Sequence, residues 1–150
     1  MCTINPAGLA LIERFEGLQL EAYQDVAGIW TIGYGHTGDV CSGMTITAEQ
    51  AQQFLQADLG AAEDAVDQAM ADAPTNANQF SAMVSLCYNI GSGNFRSSTV
   101  LREHLRGDYQ AAADAFLLWN KATIDGVLET VRGLTTRRTA ERQLYLQPIS

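Results

Sequence analysis

"AYQDVAGIWTIGYG", residues 22 to 35, decides the fold class. Its β-branched and aromatic residues alternate with turn formers, so it reads as short strands joined at Asp25 to Gly28. The helical period is absent from Leu18 to Val40. Outside this stretch the chain reads as helix. Leu9, Leu11, Ile12 and Phe15 recur at helical spacing after Asn5–Pro6, an N-cap followed by proline at the first helical position, and this helix should stop near Gly17. Thr47 and Gln50 form a capping box ahead of the face Ala51, Phe54, Leu55 and Leu59. That helix should run to about Met70, with a break near Gly60. An apolar helix follows from Gln79 to Ile90, closed by Gly91 and Gly93. Ser98 or Thr99 caps a short helix ending near Gly107. Asp108 opens another to Trp119, and an amphipathic helix runs from Leu134 to Tyr145. The expected architecture is α+β in a single domain: a small N-terminal sheet-bearing lobe, roughly residues 14–60, packed on a larger helical lobe of 61–150 plus the N-terminal helix.

Composition narrows what such a chain does. At 150 residues, 47% hydrophobic and 17% charged, it has the make-up of an ordinary globular protein with a sizeable core. No apolar run approaches the roughly 18 residues a spanning helix needs, so stable membrane insertion is not expected. The first residues lack a basic segment, and the apolar patch Ala7 to Ile12 ends at Glu13, so no secretory signal is expected either. Residues 1–95 hold one basic and eleven acidic side chains, residues 96–150 eight basic and six acidic, for a net charge of −8. That balance argues against nucleic acid as a partner. Three cysteines, Cys2, Cys41 and Cys87, have no metal-ligand spacing. Cys87 reads as a buried small hydrophobe, and a Cys2–Cys41 bridge is an open alternative to free thiols.

The chemistry gathers around the opening stretch. Glu16 falls at the predicted end of the first helix, Asp25 at the turn between strands and Thr31 on the following strand. Two carboxylates and a hydroxyl from adjacent backbone segments suit glycoside hydrolysis, in which one acid protonates the leaving oxygen and a second group handles the cationic centre or the water. The roles need opposite environments: Glu16 beside Phe15 and Leu18 is placed for partial desolvation, Asp25 in a polar turn for ionisation. Carboxylates so spaced also occur as plain surface charges.

"FEG", then Asp25, then "TIGYGH" resembles the signature of the phage-type lysozymes, the endolysins that cleave bacterial peptidoglycan; the family pattern Glu-x8-Asp-x5-Thr is matched without a gap by Glu16, Asp25 and Thr31. Gln79 to His104, "WNKA" at Trp119 to Ala122 and "GLTTRRTAER" at Gly133 to Arg142 are similar to later family segments, so the resemblance covers nearly the whole chain. It implies a lysozyme-like fold and a muramidase that hydrolyses the β-1,4 bond between N-acetylmuramic acid and N-acetylglucosamine. Glu16 would be the general acid, with Asp25 and Thr31 directing the water, or Asp25 the nucleophile in a retaining variant. It further implies peptidoglycan as partner, no cofactor, a monomer, and an enzyme held in the host cytoplasm until a separate holin opens the inner membrane.

Other residues carry two readings each. Tyr34 lines the saccharide cleft or belongs to the lobe core. His36 orients by hydrogen bonding or serves as a second acid. With His104 the only other histidine and no ligand spacing, no metal site is expected. Asn89 and Asn94, and more weakly Asn120, contact sugar or cap helix ends. Among Arg132, Arg137 and Arg138 one is expected to meet the wall's carboxylates, the others forming a solvated helix face; Arg132 is carried as the candidate. Trp30 and Trp119 are read as core. A lytic transglycosylase would also use a catalytic Glu but need no Asp–Thr pair, a zinc amidase lacks assembled ligands, and a non-catalytic wall-binding relative would not need the trio.

Overall fold

A computed structural model describes residues 2 to 149. The elements run α1 (Pro6–Glu16), β1 (Gln19–Gln24), β2 (Trp30–Gly33), α2 (Ala48–Met70), α3 (Ala77–Ile90), α4 (Ser92–Arg96), α5 (Thr99–Leu105), α6 (Tyr109–Ala115), a 3-10 turn (Phe116–Leu118), β3 (Lys121–Ile124), β4 (Val127–Thr130) and α7 (Arg132–Leu146). The chain divides into two compact units, one of Ile12–Ala61 and one of Met1–Leu11 with Ala62–Ser150. The fold is α+β, as expected.

The helix starts follow from local chemistry. Asn5 Oδ1 accepts from Gly8 N at 2.9 Å, which satisfies a donor that the first turn leaves without an intrahelical partner. Thr47 and Gln50 close their box reciprocally, Gln50 N to Thr47 Oγ1 at 3.1 Å and Thr47 N to Gln50 Oε1 at 2.9 Å. Asn76 and Gln79 do the same for α3, and Ser98 and Asp108 cap α5 and α6. The expected break at Gly60 does not occur, because the apolar face Ala51, Leu55, Leu59, Ala62 and Val66 stays buried through that point. Burial of that stripe outweighs the roughly 1 kcal/mol that a helical glycine costs.

In the Ile12–Ala61 unit, β1 and β2 pair antiparallel with Tyr23 opposite Thr31 and Gln24 opposite Trp30. Residues 44–46 line the other side of β1 through Ala22 N to Met44 O and Ile46 N to Leu20 O, both 2.9 Å. Ile12, Ile32, Ile46, Leu55 and Leu59 form the apolar interior.

In the other unit, α3 is buried from Asn78 to Cys87 and packs along α7. Here the arginine reading is corrected: Arg137 and Arg138 do not form a solvated face. Both are buried and flank Glu141, with Arg138 Nε 2.7 Å from Glu141 Oε1 and Arg137 Nε 3.3 Å from Oε2. Ser85 Oγ donates to the same carboxylate. Desolvation works against ionisation of Glu141, and the two guanidiniums and the hydroxyl work for it. Trp30 and Trp119 are half-buried, outside the core. The cysteines are free, so no Cys2–Cys41 bridge forms, and Cys87 is buried as expected, its thiol pushed up to about 11 chiefly by desolvation.

A second hairpin, β3–β4, was not anticipated. Asp125 and Gly126 take φ of 51° and 79°, the turn conformation that lets two strands follow their natural twist.

Candidate active site

Glu16 is the last residue of α1. Gly17 ends the helix with φ 72° and donates its N–H to Glu13 O at 3.0 Å, leaving the half-buried Glu16 side chain at the helix tip. Across from it lies the turn after β2. Ile32 and His36 exchange reciprocal backbone hydrogen bonds of 2.9 Å, and closing so tight a turn puts Gly33 at φ 67° and Gly35 at φ 89°. A Cβ on Gly35 would lie 3.9 Å from Glu16 Oε2, so the bare backbone of the turn faces the carboxylate. This accounts for the paired glycines in "IGYGH".

Asp25 is held by its own turn. Its backbone N donates to Ile29 O, and its carbonyl accepts from Gly28 N, both at 2.9 Å. Its Oδ1 accepts from Ala27 N at 2.8 Å and Ile29 N at 2.9 Å. Two amides on one carboxylate oxygen lock the side-chain rotamer. Gln24 Nε2 spans the turn to Gly28 O at 3.1 Å. Thr31, only 4% exposed, donates its hydroxyl hydrogen to Ile29 O at 2.9 Å. That hydroxyl is therefore left with acceptor capacity only. Glu16, Asp25 and Thr31 thus belong to one compact unit, Asp25 and Thr31 sharing Ile29 as a common anchor.

His36 is engaged with α2. Its Nδ1 lies 2.8 Å from Asp58 Oδ2, and its ring stacks on Phe54 at 4.4 Å and 11°. Both contacts brace the turn that faces Glu16, and neither Phe54 nor Asp58 carried a signal of this role in the sequence. Tyr34 is buried and, with Glu49, Gln52 and Gln56 among others, lines a shallow depression at the start of α2. It packs on the α2 side of the turn, while the next residue, Gly35, faces Glu16.

The remaining candidates belong to the helical unit. Asn89 is exposed near the end of α3. Asn94 Nδ2 donates to Ile90 O at 2.8 Å, a capping duty. Asn120 Nδ2 donates to Thr135 Oγ1 at 3.2 Å. Arg132 is exposed as the first residue of α7. Among the described residues, no three His, Cys, Asp or Glu side chains gather into a set able to hold a metal.

A fixed carboxylate, an acceptor hydroxyl and a carboxyl at a helix tip are the parts a glycosidase uses. Known proteins agree in sequence and shape. The profile of the family described as "Phage lysozyme" matches residues 13–141. The endolysin of Salmonella phage P22 is 47% identical over 97% of this chain and 99% of its own. Among solved structures, the endolysin from Escherichia coli O157:H7 phage FAHEc1 superposes with a TM-score of 0.92 at 44% identity, covering 97% of this chain and 94% of that one. The muramidase domain of SpmX from Asticaccaulis excentricus gives 0.93 at 40% identity over 99% and 100%.

Proposed function

The chain belongs to the phage lysozyme family, and we propose that Glu16 is its general acid and that Asp25, with Thr31, directs the attacking water. The chain is an endolysin muramidase, a glycoside hydrolase that cuts the β-1,4 bond between N-acetylmuramic acid and N-acetylglucosamine in bacterial peptidoglycan.

The observation that carries the division of roles is the set of hydrogen bonds at Ile29. Asp25 Oδ1 is taken up by two amides, so Oδ2 is the oxygen that accepts from a water. Thr31 gives its hydrogen to Ile29 O, so its oxygen also accepts. A water donating both hydrogens, to Asp25 Oδ2 and Thr31 Oγ1, turns a lone pair towards the anomeric carbon. As the glycosidic bond breaks, Glu16 delivers its proton to the leaving oxygen, and the water's proton passes to Asp25.

Glu16→Gln removes the transferable proton with little change of shape. Clearing of outer-membrane-permeabilised cells, with new reducing ends counted, should slow by about 10²-fold or more. Lysis at the wild-type rate would remove Glu16 from the role. Anhydro ends in the wild-type products would replace hydrolysis with transglycosylation.

The protein acts as a single catalytic domain and a monomer on the wall, with Asn89, Asn94 and Arg132 as contacts to the glycan strand or its stem. No described helix is long and apolar enough to cross a membrane. It accumulates in the host cytoplasm and reaches the wall through a holin's pore; lysis by the enzyme expressed alone would argue against that dependence.

A further inference from the structure

Four of the chain's eleven glutamines fall between residues 50 and 56, in "QAQQFLQ". Gln50 is taken up by the cap of α2, where its Oε1 accepts from Thr47 N at 2.9 Å. The other three lie with Glu49 at i, i+3, i+4 and i+7. Glu49, Gln52, Gln53 and Gln56 therefore share one stripe of the helix, while Ala51, Leu55 and Leu59 face the interior. A solvated helix face is usually laced with charges of both signs; this stripe carries three neutral amides and a single carboxylate.

The stripe borders a hollow. Its four side chains, with Tyr34 and Ala48, line the depression at the start of α2, about 400 Å³ in volume and within the range of small-ligand sites. All six belong to the unit Ile12–Ala61. Tyr34 packs on α2 while its neighbour Gly35 faces Glu16, so the depression lies apart from the general acid. Gln52 Nε2 donates to Glu13 Oε2 at 3.2 Å, which fixes one rim. Among the described residues, the Gln53 and Gln56 amides and the Glu49 carboxylate make no hydrogen bond to the protein. Each of these amides offers two donors and an acceptor.

The lining selects its ligand. No lysine or arginine is among these residues, and Glu49 adds to a net charge of −8, so an anion is repelled. One exposed carboxylate holds a cation weakly. An apolar ligand would take water from the amides and leave them unsatisfied. A neutral molecule with hydroxyls, an acetamido group and one apolar face meets every group present. That is the chemistry of an N-acetylated sugar without a carboxylate.

We propose that this depression binds an N-acetylglucosamine unit of the glycan outside the catalytic site; the polymer's identity rests on the muramidase assignment. Gln53 and Gln56 donate to hydroxyl and acetamido oxygens, Glu49 accepts from a hydroxyl, and Tyr34 with Ala48 forms the floor. The second contact keeps the enzyme beside its polymer by raising the effective concentration of uncut bonds.

The test titrates Glu16→Gln, slowed in turnover, with a soluble tetramer of N-acetylglucosamine and follows its amide resonances. Those of Glu49, Gln52, Gln53 and Gln56 should shift together. Adding Gln53→Met with Gln56→Met should raise the Kd read at Glu49 and Gln52 about tenfold, a loss of about 1.4 kcal/mol. Methionine matches glutamine in helix propensity, so α2 is kept. Gln68→Met, at an exposed position further along α2, should leave that Kd unchanged. The proposal is overturned if the stripe's resonances stay still, if the double variant binds there as tightly, or if the de-N-acetylated tetramer, a polycation, shifts them equally well. In the Glu16-bearing chain, the double variant should lose about fivefold more rate on long strands than on a tetrasaccharide of the same glycan; equal losses would overturn the holding role. A wild-type chain whose stripe binds the tetramer but which releases no reducing ends from the wall defeats the muramidase reading and leaves the site standing.

Discussion

Ile29 O accepts from both the Asp25 amide and the Thr31 hydroxyl, so one carbonyl ties the carboxylate's turn to the strand that carries the hydroxyl. Thr31→Val keeps the branched shape that the buried site requires and removes only the hydroxyl. Ile29 O keeps its bond from Asp25 N, so the stability loss should stay near 1 kcal/mol. The catalytic loss should be larger, about 10²-fold in kcat with KM little changed, and Thr31→Ser should recover most of it. Equal activity of the Val and wild-type enzymes on purified sacculi would show that the hydroxyl does not handle the water. That Glu16, Asp25 and Thr31 share one compact unit was legible in the sequence because their spacing is short and local. The roles of Phe54 and Asp58 in bracing His36 were not, because they arise where a distant helix meets the turn.

Between elements, one polar chain joins α5, α7 and the loop before α3. Tyr145 OH lies 2.6 Å from His104 Nδ1, and His104 Nε2 lies 2.8 Å from Thr75 Oγ1, which itself donates to Ala73 O at 3.1 Å. With Thr75's hydrogen committed, His104 donates from Nε2 and accepts at Nδ1 from the tyrosine, the arrangement of a neutral ring. Burial lowers its pKa from 6.5, against a smaller raising influence from the Pro74 backbone. The unfolded chain therefore takes up the proton first. This contribution to stability is complete above pH 6.5 and is lost as pH falls through the lowered folded value. Below about pH 7 the unfolding free energy should decline as pH falls, with a slope of at most about 1.4 kcal/mol per pH unit from this group. His104→Gln should flatten that decline; an unchanged slope would mean that other groups cause it. The same scale holds the clearest miss, the β3–β4 hairpin. Its signal, Asp125–Gly126 between β-branched residues, is a common short hairpin turn, but the sequence reading assigned no element between Trp119 and Leu134.

For the whole molecule, charge is the governing quantity. The chain is acidic while its substrate, the wall, is also polyanionic, and eleven of its carboxylates fall in residues 1–95 against one basic residue there. At about 0.01 M salt the screening length is about 30 Å and the like charges repel across the whole approach; at about 0.1 M it is about 10 Å and only close contacts count. Hydrolysis should therefore pass through a maximum at moderate ionic strength, and a rate that keeps climbing as salt is removed would refute this. What the sequence determined by itself is whatever depends on neighbours along the chain: the helix caps, the strand–turn–strand around Asp25, the spacing of Glu16, Asp25 and Thr31 and through it the family. Tertiary structure alone decided the unbroken passage of α2 through Gly60 and the burial of Arg137 and Arg138 around Glu141. It also decided the half-exposed tryptophans, and that Tyr34 packs on α2 while Gly35 faces Glu16. Each of these turns on which surface packing removes from water, and local propensities of about 1 kcal/mol yield to that larger burial energy.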